Sequence, residues 1–284
     1  MIDTIERNYI SCNGSFLDSN LVLLGVPFDG TVSFRSGARM APSVLRNESI
    51  GLETYSPYQN LDLEDFNIYD AGDLDLPFGN TEKTMFVIEQ AITKLCQNNK
   101  KIISVGGEHL ITYPIVKALL NKYPDLCFIH FDAHADLRDN YLGEKLSHAT
   151  TLRRVWDMVG DNRIFQFAIR SGTKEEFKWA QNGHTVMEKF TTKTLDSILP
   201  KLINKPTYIT IDVDVLDPSV VSGTGTPEAG GLQFNELLQA ILKLKPLNII
   251  GADVVELSPM LDTSGASTAV VNKIIRELML ILLS

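Results

Sequence analysis

The chain has 284 residues, enough to bury a full core, with 44% hydrophobic and 21% charged residues and a formal charge of −9. That sign argues against a broad nucleic-acid surface, which needs clustered Lys and Arg, and weakly favours a small cationic partner. The three scattered cysteines, Cys12, Cys96 and Cys127, support neither a disulfide framework nor a zinc ribbon; Cys96 and Cys127 read as buried, reduced and inert.

In chain order, the opening MIDTIERNYISCNG carries early acids and no apolar run of leader length. Short β-branched runs then predict strands at Leu21–Val26, Asn67–Asp70, Lys101–Val105, Leu126–Phe131, Arg163–Ile169, His184–Met187, Thr207–Ile211 and Leu247–Val254. Helical periodicity predicts helices at Thr81–Gln97 and Ile111–Asn121, and a last one at about Ser267–Leu283 after the polar cluster Asp262-Thr263-Ser264-Gly265. The longest apolar run, Leu278–Leu283, is too short to span a bilayer, so the expectation is a cytoplasmic chain with no membrane partner. Strands solidly apolar on both faces, alternating with helices, predict an α/β fold with a mainly parallel sheet between helix layers. No repeat or composition shift marks a boundary, so residues 1–284 read as one domain.

The polar residues collect just past strand ends. Four separate segments deliver them: Gly106-Gly107-Glu108-His109, Asp132-Ala133-His134-Ala135-Asp136, Asp212-Val213-Asp214 and Val255-Glu256. Ligands of parallel sheets bind beyond the carboxyl ends of the strands, so these segments are expected to converge. A period of two puts Asp132, His134 and Asp136 on one side of an extended segment, and likewise Asp212 and Asp214. Four packed carboxylates repel unless cations hold them, and two His with four Asp suit a pair of hard first-row divalent ions. A lone Asp-x-Asp at a strand end is more often a turn former, and a lone His more often a packing residue. The combination is what points to metal. His130, one pleat deeper, is expected to pack behind the site, and His184, in a turn sequence, to be exposed. His148, opening a predicted helix beside the Asp-x-His-x-Asp loop, reads as functional.

Several stretches together resemble the ureohydrolase family, which includes arginases and agmatinases. They are Ser104-Val-Gly-Gly-Glu-His109, Phe131-Asp-Ala-His-Ala-Asp136, Ile211-Asp-Val-Asp-Val-Leu-Asp-Pro218, Gly223-Thr-Gly-Thr-Pro-Glu-Ala-Gly-Gly231, Asp253-Val-Val-Glu256, Gly25-Val-Pro-Phe-Asp29 and Asp70-Ala-Gly-Asp73. The resemblance runs from about Leu21 onward. It implies a three-layer α/β/α fold with an eight-stranded sheet, two Mn²⁺ per subunit, and a homotrimer or homohexamer. It also implies one manganese on His109, Asp132, Asp136 and Asp212 and another on His134, Asp132, Asp212 and Asp214, with Asp132 and Asp212 bridging. His148 would then transfer protons, Glu256 would hold the substrate guanidinium, and Asp136 would orient the attacking water.

Such a pair of ions brings a water's pKa down to about 7, and a guanidinium, protonated at neutral pH, needs a carboxylate to orient it. Ser147 to Arg154 and Gly223 to Glu228 are more similar to agmatinases than to arginases, implying hydrolysis of agmatine to putrescine and urea. Guanidinobutyrate, arginine and formiminoglutamate are the alternative substrates, and a non-catalytic metal-binding homologue is a further alternative. In the loop Leu137–Leu146, Asp139 or Glu144 could meet a distal ammonium and Arg138 a carboxylate, although solvated loop charges are the simpler reading of all three.

Overall fold

A computed structural model describes residues 7–284; the first six residues of the acidic opening lie outside the described residues. Among the described residues ten strands form: β1 (Leu21–Val26), β2 (Tyr55–Ser56), β3 (Leu61–Asp62), β4 (Ile68–Asp73), β5 (Lys101–Gly106), β6 (Cys127–Phe131), β7 (Ile164–Ile169), β8 (Val186–Lys189), β9 (Pro206–Asp212) and β10 (Asn248–Val255). Eight of them build one parallel sheet in the order β4-β1-β5-β10-β9-β6-β7-β8. These are the eight segments predicted from hydrophobic runs, with ends shifted by three residues at most.

The order explains the convergence. The chain builds outward from β5 to β6, β7 and β8, and then β9 and β10 return to fill the gap between β5 and β6. The four adjacent central strands β5, β10, β9 and β6 are therefore the four whose carboxyl ends carry the clustered acids and histidines. Reversal of strand order opens a crevice at such an edge.

Alternating side chains on each strand feed two apolar layers. On one face, Ile103, Val105, Ile129, Phe131 and Ile209 pack against α1 (Ala41–Ser49), α7 (Phe234–Lys243) and α8 (Ala266–Leu283) through Leu45, Leu237, Ile241 and Leu278. On the other, Ile102, Phe128 and Tyr208 meet α2 (Thr81–Gln97), α3 (Thr112–Leu120) and α4 (Thr151–Val159) through Ile88, Ile92, Ile115, Leu119 and Leu152. The three-layer expectation holds. No described helix is long and apolar enough to cross a membrane, and the Leu278–Leu282 run lies buried in α8.

The hairpin β2–β3 was not anticipated, because two-residue strands carry no periodicity. A buried pair on α8 secures it instead: Arg276 donates to the carbonyls of Glu53 (2.8 Å) and Tyr55 (3.1 Å), and Glu277 accepts from Ser56 (2.7 Å) and Gln59 (2.8 Å). His184 also differs from expectation. It is half-buried, its ring stacked 4.0 Å from Trp179 and its Nδ1 2.9 Å from Asp161, because the turn folds back over the α4–α5 aromatic pair of Trp156 and Trp179 (α5, Lys174–Gln181).

Candidate metal centre and active site

Each central strand delivers its residues by a different local device. After β5 the chain turns through Gly106-Gly107 so tightly that a Cβ on Gly107 would lie 2.1 Å from the Phe28 carbonyl oxygen. That approach lets Glu108 N–H donate to Phe28 (2.7 Å) and sets His109 at the head of a 3-10 turn leading into α3. After β6, strand geometry stops at Phe131, and Asp136 sits in the left-handed region at φ 52°. The segment is a loop bridged to Ser171, not the extended run expected from its period of two. After β9, Asp212 caps a 3-10 turn, accepting from the Asp214 N–H at 2.9 Å. Here the turn former and the site residue are the same carboxylate. After β10, Glu256 is also left-handed, at φ 67°. Two strained non-glycine residues, each costing on the order of 1–3 kcal/mol, face one cavity.

The predicted residues meet in two groups. His109 Nδ1 lies 3.1 Å from Asp132 Oδ2, 3.3 Å from Asp136 Oδ2 and 3.4 Å from Asp212 Oδ2. His134 Nδ1 lies 2.9 Å from Asp214 Oδ2 and 3.6 Å from Asp132 Oδ1. Asp132 therefore presents one oxygen to each group. Asp132, Asp136, Asp212 and Asp214 are all buried, which makes their mutual repulsion severe. Burial and the charges of Asp214 and Asp132 push Asp212 well above the usual carboxylate range, and burial with Asp132 pushes Asp136 up to about 7. Burial opposes charge on His109 and His134, yet the surrounding carboxylates raise both.

The proton positions around His109 leave a place for cations. Thr210 Oγ1 donates to Asp253 Oδ1 at 2.5 Å, so it can only accept from His109 Nε2–H at 2.9 Å. A neutral His109 then carries its lone pair on Nδ1, a buried atom with no hydrogen-bond partner among the described residues, pointed at three carboxylate oxygens; without a cation only a proton on Nδ1 relieves this, which is the upward pKa shift above. Lone pairs facing one another at this density fit a cation between them. Behind Asp132, Gln166 Nε2 donates to His130 Nδ1 (3.1 Å), leaving His130 Nε2–H to donate to Asp132 Oδ2 (2.8 Å). His130 thus orients Asp132, as expected of a residue one pleat deeper. Thr210→Val should free the His109 tautomer and weaken divalent-cation binding by roughly 10–100-fold, measured by calorimetric titration, with little change in fold.

A cavity of about 230 Å³ opens over these groups, lined among others by Ser33, His134, Asp136, His148, Asp212 and Glu256. Glu256 Oε1 accepts the His109 N–H at 2.7 Å, and burial together with the nearby Glu108 pushes its pKa up to about 8. His148 Nδ1 donates to the Thr31 carbonyl (2.9 Å), which leaves Nε2 as the acceptor beside Ser33 Oγ (3.2 Å). Burial lowers its pKa, so the ring is neutral at pH 7. Four contributors have no assigned part in the sequence reading: Glu108, Thr31, Arg170 and Asp253. Glu108 accepts from Thr31 N–H (2.7 Å), and Thr31 Oγ1 in turn accepts from His148 N–H (3.1 Å). Arg170 donates to the carbonyls of Asp214 (2.6 Å), Val215 (3.2 Å) and Glu228 (2.9 Å), fixing the loop after β9. Glu108, Thr31 and Arg170 follow strand ends on the same sheet edge, whereas Asp253 sits inside β10; Glu108 and Asp253 also fall in stretches that resemble the family.

The loop residues sort differently. Asp139 is held by Arg154 at 2.8 Å, and Glu144 lines a neighbouring cavity with Tyr141 and Leu142. Arg138 lines the main cavity, stacked 4.5 Å over Tyr141 and 3.5 Å from Glu176.

Fold and site together define a class, and residues 19–281 match the arginase family. The chain belongs to that family. An agmatinase from Bacillus cereus is 46% identical over 275 residues, covering 96% of this chain and 95% of its own. The crystal structure of the agmatine ureohydrolase of Thermoplasma volcanium superposes with a TM-score of 0.89 at 29% identity, covering 98% of this chain and 95% of that one. A guanidinobutyrase from Pseudomonas aeruginosa is 33% identical over 276 residues, covering 91% of this chain and 85% of its own.

Proposed function

We propose that this chain is a binuclear manganese hydrolase that splits agmatine into putrescine and urea. The observation that carries the reading is Asp132, one oxygen facing the His109 group and the other the His134 group, below a cavity that also holds Glu256. Similarity to curated agmatinases at 45–46% identity favours agmatine over the guanidinobutyrate seen in the name of a 33% relative.

In this reading one ion would be held by His109, Asp132, Asp136 and Asp212, and the second by His134, Asp132, Asp212 and Asp214. Oxygen-rich donors without thiolate favour manganese over softer-ligand metals. When bound, the pair supplies Lewis acidity that ionises water near neutral pH. Glu256 receives the guanidinium: its buried carboxylate, reluctant to ionise alone, gains the positive partner that holds it charged. Asp136, strained into position, accepts a hydrogen bond from the attacking water and fixes its line of approach to the guanidinium carbon. The expelled amine needs a proton. His148 Nε2, with Nδ1–H committed to Thr31, accepts one from the solvent side and passes it on, with Ser33 as neighbour.

Sheet and apolar layers that run through the whole described chain support one domain. Cytoplasmic placement belongs to the same proposal, and family membership supports a homotrimer or homohexamer. Urea release from agmatine, guanidinobutyrate, arginine and formiminoglutamate with added Mn²⁺ tests the substrate. Agmatine should give the highest kcat/KM; a different preferred compound would replace the assignment, and no urea from any would end it.

A further inference from the structure

Resting on the agmatine reading, we propose that Glu228 is the residue that binds the substrate's distal ammonium and so sets its preference for an amine over a carboxylate tail. Glu228 Oε1 accepts from Ser171 Oγ at 2.9 Å and lies 4.0 Å from His134 Nε2; both Ser171 and His134 line the cavity. Among the described residues, Oε2 accepts no hydrogen bond and no Lys or Arg side chain pairs with this carboxylate. Its side chain is 42% exposed and stands behind the wall that Ser171 and His134 give the cavity, whereas Glu256 is buried. A buried acid on the cavity and a half-exposed acid next to two of its lining residues suit a molecule with a cation at each end.

The position is held firmly. Arg170 clamps the Glu228 carbonyl, while Ser171 exchanges backbone hydrogen bonds with Ala133 (2.8 Å) and Ala135 (3.0 Å) of the metal-site loop. The cation at the rim, Arg138, is engaged by Glu176 and the Tyr141 face, and Asp139 is taken by Arg154. Glu228 is left with a neutral partner and an open oxygen. A rival role exists, since a carboxylate near His134 Nε2 could orient that ring. The 4.0 Å separation exceeds a hydrogen bond, which favours the substrate as the partner.

The experiment compares Glu228→Gln with wild type, both loaded with Mn²⁺, on agmatine and on n-butylguanidine, which shares the reacting guanidinium but has an uncharged tail in place of the ammonium. Metal content is measured alongside. A half-exposed ion pair predicts a fall of roughly fivefold to tenfold in the agmatine-to-butylguanidine ratio of kcat/KM, carried by KM, with metal content unchanged. An unchanged ratio overturns the proposal, whether both substrates lose equally with metal (the His134 role) or neither loses. Wild type that releases urea from butylguanidine but prefers guanidinobutyrate to agmatine would refute the agmatine reading and this assignment together.

Discussion

Asp212→Ala is expected to lower kcat/KM by at least roughly 10³-fold and to abolish binding of the second equivalent of Mn²⁺. Asp212 is the carboxylate at the junction: Oδ2 faces His109, while Oδ1 holds the turn that aims Asp214. Removing it takes away a shared donor and loosens Asp214, so the damage reaches both groups. A second readout separates lost metal from lost fold. Wild type at a hundredfold excess of Mn²⁺ over its dissociation constant should gain about 2.7 kcal/mol of stability, seen as a rise in Tm. The variant should lose most of that gain while keeping a cooperative transition without metal, since the same substitution relieves repulsion with Asp132 and Asp214. A variant that still binds two equivalents of Mn²⁺ would remove Asp212 from the site.

Glu256→Gln is expected to keep both metals and lose turnover by roughly 10²–10³-fold. The amide oxygen can still accept the His109 N–H, so the turn that presents His109 should survive. What changes is the other half of the group, where an NH2 would confront the guanidinium N–H groups that a carboxylate accepts. The loss should appear in kcat as well as KM, because misorientation of the guanidinium carbon persists even at saturation. Full metal content with activity within twofold of wild type would contradict the role given to Glu256.

The sheet was legible because its signal is local. Runs such as Ile102-Ile103 and Cys127-Phe128-Ile129 must be covered on both faces, and helix-length segments between them leave few other architectures. The candidate metal ligands stood out because Asp, His and Glu accumulated past strand ends. The reason given for their alignment was only half right: β6 and β9 end at Phe131 and Asp212, and a left-handed Asp136 and an Asp-capped turn do the rest. Neither leaves a periodic trace. Thr210 and Asp253 were hidden for another reason. They sit inside strands, where hydroxyl and carboxylate pairs across β9 and β10 depend on register, and register is a property of the folded sheet. Glu228 lay in a stretch quoted for its likeness to a family, and only folding placed it beside Ser171.

Anomalous diffraction from crystals loaded with Mn²⁺ is the most direct check on the binuclear centre. Two separate maxima should appear under the cavity, one touching His109 Nδ1 and the other His134 Nδ1, with Asp132 in contact with both. A single maximum, or none among these six side chains in fully loaded and active protein, would contradict the account.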